Sequence, residues 1–230
     1  MALSRLLLWL LPREARRAYA RGAGLSQAVR PPWLSPRPRA WEGVLEAHRL
    51  WVETGGKRGF RADLTGQDLR GKELRGAMLR TAILAGANLE GVQGGGAVLF
   101  SADLRNACLR GADFREGLFL GAEFGGTDLE GADLGGSLLR AAKLQGAILR
   151  KARLDGADLQ GAHLEGADLR GASLSGANVA RAHLEGADLR GADLSGARGL
   201  SAEQLASART DGAIRPPEGE SFFLPGAENG

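Results

Sequence analysis

From Leu64 to Leu194 a large apolar residue recurs at every fifth position, through Leu69, Leu74, Leu79, Leu84, Leu89, Leu99, Leu104 and Leu109, then Phe114, Phe119 and Phe124, and onward without an insertion. Gly94 is the one break in this column. Two positions upstream of each site stands a small residue, usually alanine, as at Ala62, Ala82, Ala87, Ala142 and Ala192, and two positions downstream stands glycine, as at Gly66, Gly71, Gly146 and Gly161. A period of five fits neither the 3.6 residues of a helical turn nor the two-residue alternation of a strand. It predicts a coil with corners, in which a large and a small column point inward and glycine turns the chain through positive φ. One such unit cannot bury its apolar residue alone, so the units must stack into a continuous core with hydrogen bonds between successive rungs.

Units such as Ala157-Asp158-Leu159-Gln160-Gly161 and Ala187-Asp188-Leu189-Arg190-Gly191 carry the pattern A(D/N)LxG, and in this the chain resembles the pentapeptide-repeat proteins. The resemblance spans residues 60–200 and implies an all-β solenoid, a right-handed quadrilateral β-helix with four repeats to each rung. At the ~4.8 Å spacing of hydrogen-bonded strands the rod is expected to be about 32 Å long.

Both ends of such a rod need covers, because an open rung exposes unpaired backbone and apolar side chains. Trp41, Val44, Leu45, His48, Trp51 and Val52 fall at helical spacing before Gly55-Gly56 and predict a capping helix over 41–59, similar to the helix that precedes the coil in many members of the family. Ser201-Ala202-Glu203-Gln204 has the form of a capping box and predicts a short helix ending near Ala208, followed by a loose tail to residue 230 that Pro216-Pro217 keeps from being helical. Residues 1–40 divide into a basic, leucine-rich helix and a proline-rich linker.

Charge changes the picture at the N-terminus. Residues 1–59 hold 11 Lys and Arg against 4 Asp and Glu, the repeats from 60 to 200 hold 17 against 18, and residues 201–230 hold 2 against 5. Basicity therefore belongs to the N-terminal segment, which could attract acidic lipid, nucleic acid or an acidic protein face. The first apolar run, Leu6 to Leu11, is far shorter than the roughly 20 residues that span a bilayer, and the charges that follow it fit a secretory signal poorly. The expected location is the cytoplasm. With Cys108 as the sole cysteine, an internal disulfide is ruled out.

With four units to a rung, residues 20 apart share an outward column. Met78, Val98, Leu118 and Leu138 form one such column, and Phe100 and Leu120 flank it, which marks these six residues as a candidate interface. The strip either meets another molecule or is covered by the Leu-rich N-terminus or Phe222-Phe223-Leu224. A second column, Arg70, Glu90, Arg110, Glu130, Arg150, Arg170 and Arg190, is read as a solvated charge ladder rather than a phosphate track. His163 and His183 share a third column beyond Lys143, with Glu165 and Glu185 beside them. A flat ladder of this kind lacks the convergence of a metal centre, and no metal or other cofactor is expected.

No phosphate-binding glycine loop, paired pocket carboxylates or Ser-His-Asp set accompanies the repeats, so no enzyme is expected. The reading is a non-enzymatic interaction or scaffold protein with an unidentified protein partner, self-association included. The resemblance also implies an alternative, because some family members imitate duplex DNA and bind type II topoisomerases such as gyrase. A near-neutral rod suits that poorly, and direct binding of nucleic acid is not expected. A second alternative is a peripheral membrane adaptor held by residues 1–21.

Overall fold

The computed structural model describes residues 41–211, and the N-terminal helix, proline-rich linker and C-terminal tail read from the sequence lie outside them. The chain divides between Phe60 and Arg61 into two units.

In the first unit, helix α1 spans Trp41–Glu53. His48 is its one fully buried residue and stacks on Trp51, with ring centroids 5.8 Å apart. The Thr54 hydroxyl ends the helix by donating to Leu50 O at 2.7 Å and accepting from Arg58 N at 2.9 Å. The chain then folds back along α1, so that Phe60 N donates to Ala47 O at 3.0 Å. Only glycine fits the return. A Cβ on Gly59 would lie 2.0 Å from Ala47 O, and its φ is +73°.

The second unit is a four-sided coil. Parallel bridges pair each residue that precedes a core position with the residue 20 further on, from Asp63↔Ile83 to Asn178↔Arg198. Each side contributes a single bridged residue per rung, so among the described residues the ladders contain no extended strand. The repeat leaves no room for one, because the next corner begins at the residue after the core position. At the corner the amide three residues after the core residue donates to the core carbonyl, as Gln67 N does to Leu64 O at 3.0 Å. Between rungs the core amide donates upward, as Leu64 N to Ile83 O at 2.7 Å, and is answered by Ile83 N to Ala62 O at 3.0 Å. Backbone groups are thereby satisfied without long strands.

The large and small columns fill the coil, and every apolar core position from Leu64 to Leu194 is buried. Burying a leucine fully is worth roughly 1.5–3 kcal/mol, and truncating one such as Leu129 to alanine costs about 2–5 kcal/mol. Phe114, Phe119 and Phe124 sit on three successive sides, and neighbouring rings lie 5.7 and 5.3 Å apart. In the first rung the small column is interrupted by Gln67 and Lys72, and both are exposed. Thr127 is the buried polar exception whose hydroxyl is answered, by Leu104 O at 2.7 Å.

Helix α2, Ala202–Ser207, closes the C-terminal end of this unit. The Ser201 hydroxyl accepts from Gln204 N and the Gln204 side chain accepts from Ser201 N, forming the expected capping box. The Gln204 amide nitrogen also donates to Val179 O at 2.9 Å, which already accepts from Ala182 N, and to Ala182 O at 2.7 Å, a carbonyl that no further repeat reaches. The sequence reading ends the repeats at residue 200. The ladder resumes beyond α2, where Asp188 bridges Arg209 at a spacing one residue longer than elsewhere.

Candidate interaction surfaces

The outward residue before each core position is where side chain and corner meet. When it is Asp or Asn, its side-chain Oδ1 accepts the amide two residues on, as Asp103 does from Arg105 N at 3.1 Å and Asn88 from Glu90 N at 3.1 Å. This local bond stabilises the turn and accounts for the preference for Asp and Asn at that position.

One side departs from the rule with an apolar residue on four successive rungs. Met78, Val98, Leu118 and Leu138 are joined in order by parallel bridges, so the sequence-read column is continuous in space. None of these side chains can accept the turn amide. Met78 and Leu138 are 41% and 38% exposed and Leu120 is 36% exposed, while Val98, Phe100 and Leu118 are half-buried by their neighbours. The flanking column reads Arg80, Phe100, Leu120, Arg140, placing an arginine before and after the apolar pair. The strip ends at Asp158, where the usual chemistry returns and Asn178 Nδ2 donates to Asp158 Oδ1 at 3.0 Å. Among the described residues no helix is long and apolar enough to cross a membrane.

The arginine column lies beside an aspartate column that sequence reasoning left out of account. Arg110 Nε reaches Asp128 at 2.6 Å, Arg170 Nη2 reaches Asp168 at 2.7 Å and Arg190 Nη2 reaches Asp188 at 2.6 Å. The end that looks purely basic in sequence is therefore paired with acid. The hydrogen bond from Arg170 holds the Asp168 carboxyl below its ordinary range, and Arg190 does the same for Asp188. The signal was present in the sequence as the recurring Asp-Leu-Arg triplet.

On a further side, two adjacent outward glycines, Gly95 and Gly96, leave a shallow hollow of about 330 Å³ whose rim includes Arg75, Arg115, Asp113 and Glu116. Arg115 is already held by Asp113 at 2.6 Å, so the hollow carries balanced charge rather than a free cationic pair.

The histidine ladder differs most from its sequence reading. His163 and His183 stack with centroids 4.5 Å apart and planes 2° from parallel. His163 Nδ1 lies 2.9 Å from Glu165 Oε1, and donor atoms of His163, Glu165 and His183 all come within 4.8 Å of one another. The sequence reading took these residues as a flat ladder; in the structure Glu165 leans across the rung toward the imidazoles and the three side chains form a cluster. Glu185 stays further off, 3.9 Å from His183 Nδ1. Burial pushes the Glu165 carboxyl up, but the hydrogen bond from His163, a backbone hydrogen bond and the nearby imidazoles together bring it below its ordinary value.

The family description "Pentapeptide repeats" matches in eight copies over residues 60–93, 94–116, 137–176 and 167–198. Among solved structures, a pentapeptide repeat protein from the Arabidopsis thaliana thylakoid lumen is 32% identical over 46% of this chain and 70% of its own, with a TM-score of 0.38. Rfr23 from the cyanobacterium Cyanothece 51142 is 26% identical over 60% of this chain and 90% of its own, with a TM-score of 0.37. HetL from Nostoc sp. strain PCC 7120, involved in heterocyst differentiation regulation, is 27% identical over 74% of this chain and 92% of its own, with a TM-score of 0.21. No curated protein matches the sequence. The five-residue period, the 20-residue ladder and the family match over residues 60–116 and 137–198 together make this chain a member of the pentapeptide repeat family.

Proposed function

We propose that the chain is a non-enzymatic interaction protein of the cytoplasm, whose right-handed, four-sided rod offers the Met78, Val98, Leu118 and Leu138 strip to a protein partner. One observation carries this reading. At four successive rungs of one side the sequence gives up the Asp or Asn that the corner favours and places an exposed or half-exposed apolar residue there instead. The coil itself gains nothing from that choice, whereas a contiguous apolar strip gains from burial against another surface. Phe100 and Leu120 widen the strip, and Arg80 and Arg140 beyond them suit a partner with an acidic rim.

The charge pattern argues against imitation of duplex DNA. Such imitation requires a strongly negative surface, and here the aspartates beside the arginine column are neutralised by it. Membrane attachment through residues 1–21 rests on the sequence alone and lies outside the described residues.

The test is affinity capture from the source cell with the native chain and with a Leu118→Arg, Leu138→Arg variant of unchanged circular dichroism. A partner that the native chain retains and the variant loses supports the strip as the contact surface, and a second copy of the chain counts as such a partner. Identical captures with both proteins reject it.

A further inference from the structure

We propose that His163, His183 and Glu165 form a binding site for one divalent transition-metal ion of the zinc class, clipping two successive rungs of the coil. The site stands apart from the apolar strip, on a different side of the rod, and does not depend on the strip's function.

The coil creates the juxtaposition. His163 and His183 are bridged partners 20 residues apart, so the ladder itself fixes them on adjacent rungs of one column. Their near-parallel rings place like atoms side by side, with centroids 4.5 Å apart. Glu165, two residues beyond His163, supplies an oxygen, and the three donors lie within 4.8 Å of one another. Imidazole nitrogen and carboxylate oxygen are the borderline donor set that zinc and its neighbours accept.

Bond lengths of ~2.0–2.1 Å in a tetrahedral site put donors about 3.3 Å apart, so the three must close by no more than about 1.5 Å. Part-exposed side chains on a ladder can close that distance by rotation, without moving the backbone. The ion would replace the shared proton between His163 Nδ1 and Glu165 Oε1, now 2.9 Å apart, and the imidazole would carry its N–H on Nε2.

Two surroundings favour occupancy. Glu165 Oε2 is buried and makes no hydrogen bond among the described residues, leaving acceptor capacity that a cation would satisfy. Lys143, the next residue of the histidine column and the nearest competing cation in it, is drawn the other way, its ammonium bound to Glu123 Oε1 at 2.7 Å. Three protein donors leave a fourth tetrahedral position for water or a ligand from another molecule.

The composition makes the test clean, because the chain has three histidines and one cysteine, and the third histidine, His48, is buried in α1. The measurement is isothermal titration of the full, tag-free chain with zinc chloride in a non-coordinating buffer. It is repeated for His183→Asn, His163→Asn and Glu165→Gln, whose folding is checked by circular dichroism. Asparagine already occupies this outward position at Asn88 and Asn178, so the variants keep the coil. The expected result is one ion per chain for the native protein, weakened at least tenfold by either histidine change and by a smaller factor in Glu165→Gln. Ring resonances of His163 and His183 should shift together on titration while those of His48 stay in place. The absence of one-to-one binding overturns the site, as does binding that survives both histidine substitutions undiminished.

Discussion

The ring of Phe114 occupies the space that a side chain at Gly94 would need: a Cβ built on Gly94 would lie 2.2 Å from Phe114 Cε1. The two residues stand one rung apart in the same inward column, so the break in the leucine period and the start of the phenylalanine run are one packing solution. Gly94→Leu should therefore destabilise the coil by about 1–3 kcal/mol through overpacking. Phe114→Leu should destabilise it by leaving a cavity. Combined, the substitutions restore the leucine column, and chemical denaturation of the four proteins should yield a favourable coupling of about 0.5–3 kcal/mol. Simple additivity would contradict the exchange of volume.

Closure of the C-terminal end depends on one side chain. Gln204 spans the capping box, the Val179 carbonyl that already accepts from Ala182 N, and the otherwise open Ala182 carbonyl, so Gln204→Ala leaves Ala182 O without a donor. The expected loss is about 1–3 kcal/mol, with hydrogen exchange accelerating first in the last rung and leaving the middle of the rod protected. Uniform acceleration along the coil would show that α2 is not a local cap.

Seven corners carry a residue other than glycine at positive φ, and four of them, Thr81, Ser101, Ala141 and Arg181, lie along the edge that follows the apolar strip. Ala141 has φ of +53°. Left-handed geometry costs an L-residue roughly 1–2 kcal/mol, partly offset by the extra chain entropy that glycine loses on folding. Ala141→Gly should therefore stabilise the protein by up to about 1 kcal/mol in thermal or chemical unfolding, and a destabilised variant would contradict the strain.

Acid should weaken the fold late and gradually. Asp68, Asp103, Asp113, Asp168 and Asp188 are each held below the ordinary aspartate value by a hydrogen bond from the arginine two residues on, Asp68 down to about 2. A carboxyl depressed in the folded state contributes its full stability above the unfolded value and loses it as pH falls through the folded value. Stability should be level above about pH 5 and decline between about pH 4 and 2. Each pair is exposed, so the decline is shared and no single Asp→Asn change should reproduce it. Carboxyl carbon shifts followed by NMR measure this, and midpoints at ordinary aspartate values would refute the pairing.

Much of the coil was legible in the sequence because the repeat is its own ruler. The five-residue period located the core, and four units per rung placed Met78 beside Val98 and His163 beside His183 before any coordinates. What sequence reasoning missed was set by side-chain direction and by the ends. Nothing in the pattern says that Glu165 leans toward the histidines while Glu185 stays off. The aspartate column was visible, but its bonds to the neighbouring arginines depend on rotamers. The return of the ladder at Arg209 was hidden because α2 lengthens that one rung by a residue and breaks the period used to read the rest.

The contact itself tests the central claim most directly. A photo-crosslinking amino acid is placed at position 118 or 138 in the source cell, with position 148 as control, since Ile148 is an isolated apolar residue in the same kind of outward site on another side. The account predicts a discrete protein adduct from 118 and 138 and none from 148. No adduct at the strip, or equal adducts at all three positions, would contradict it.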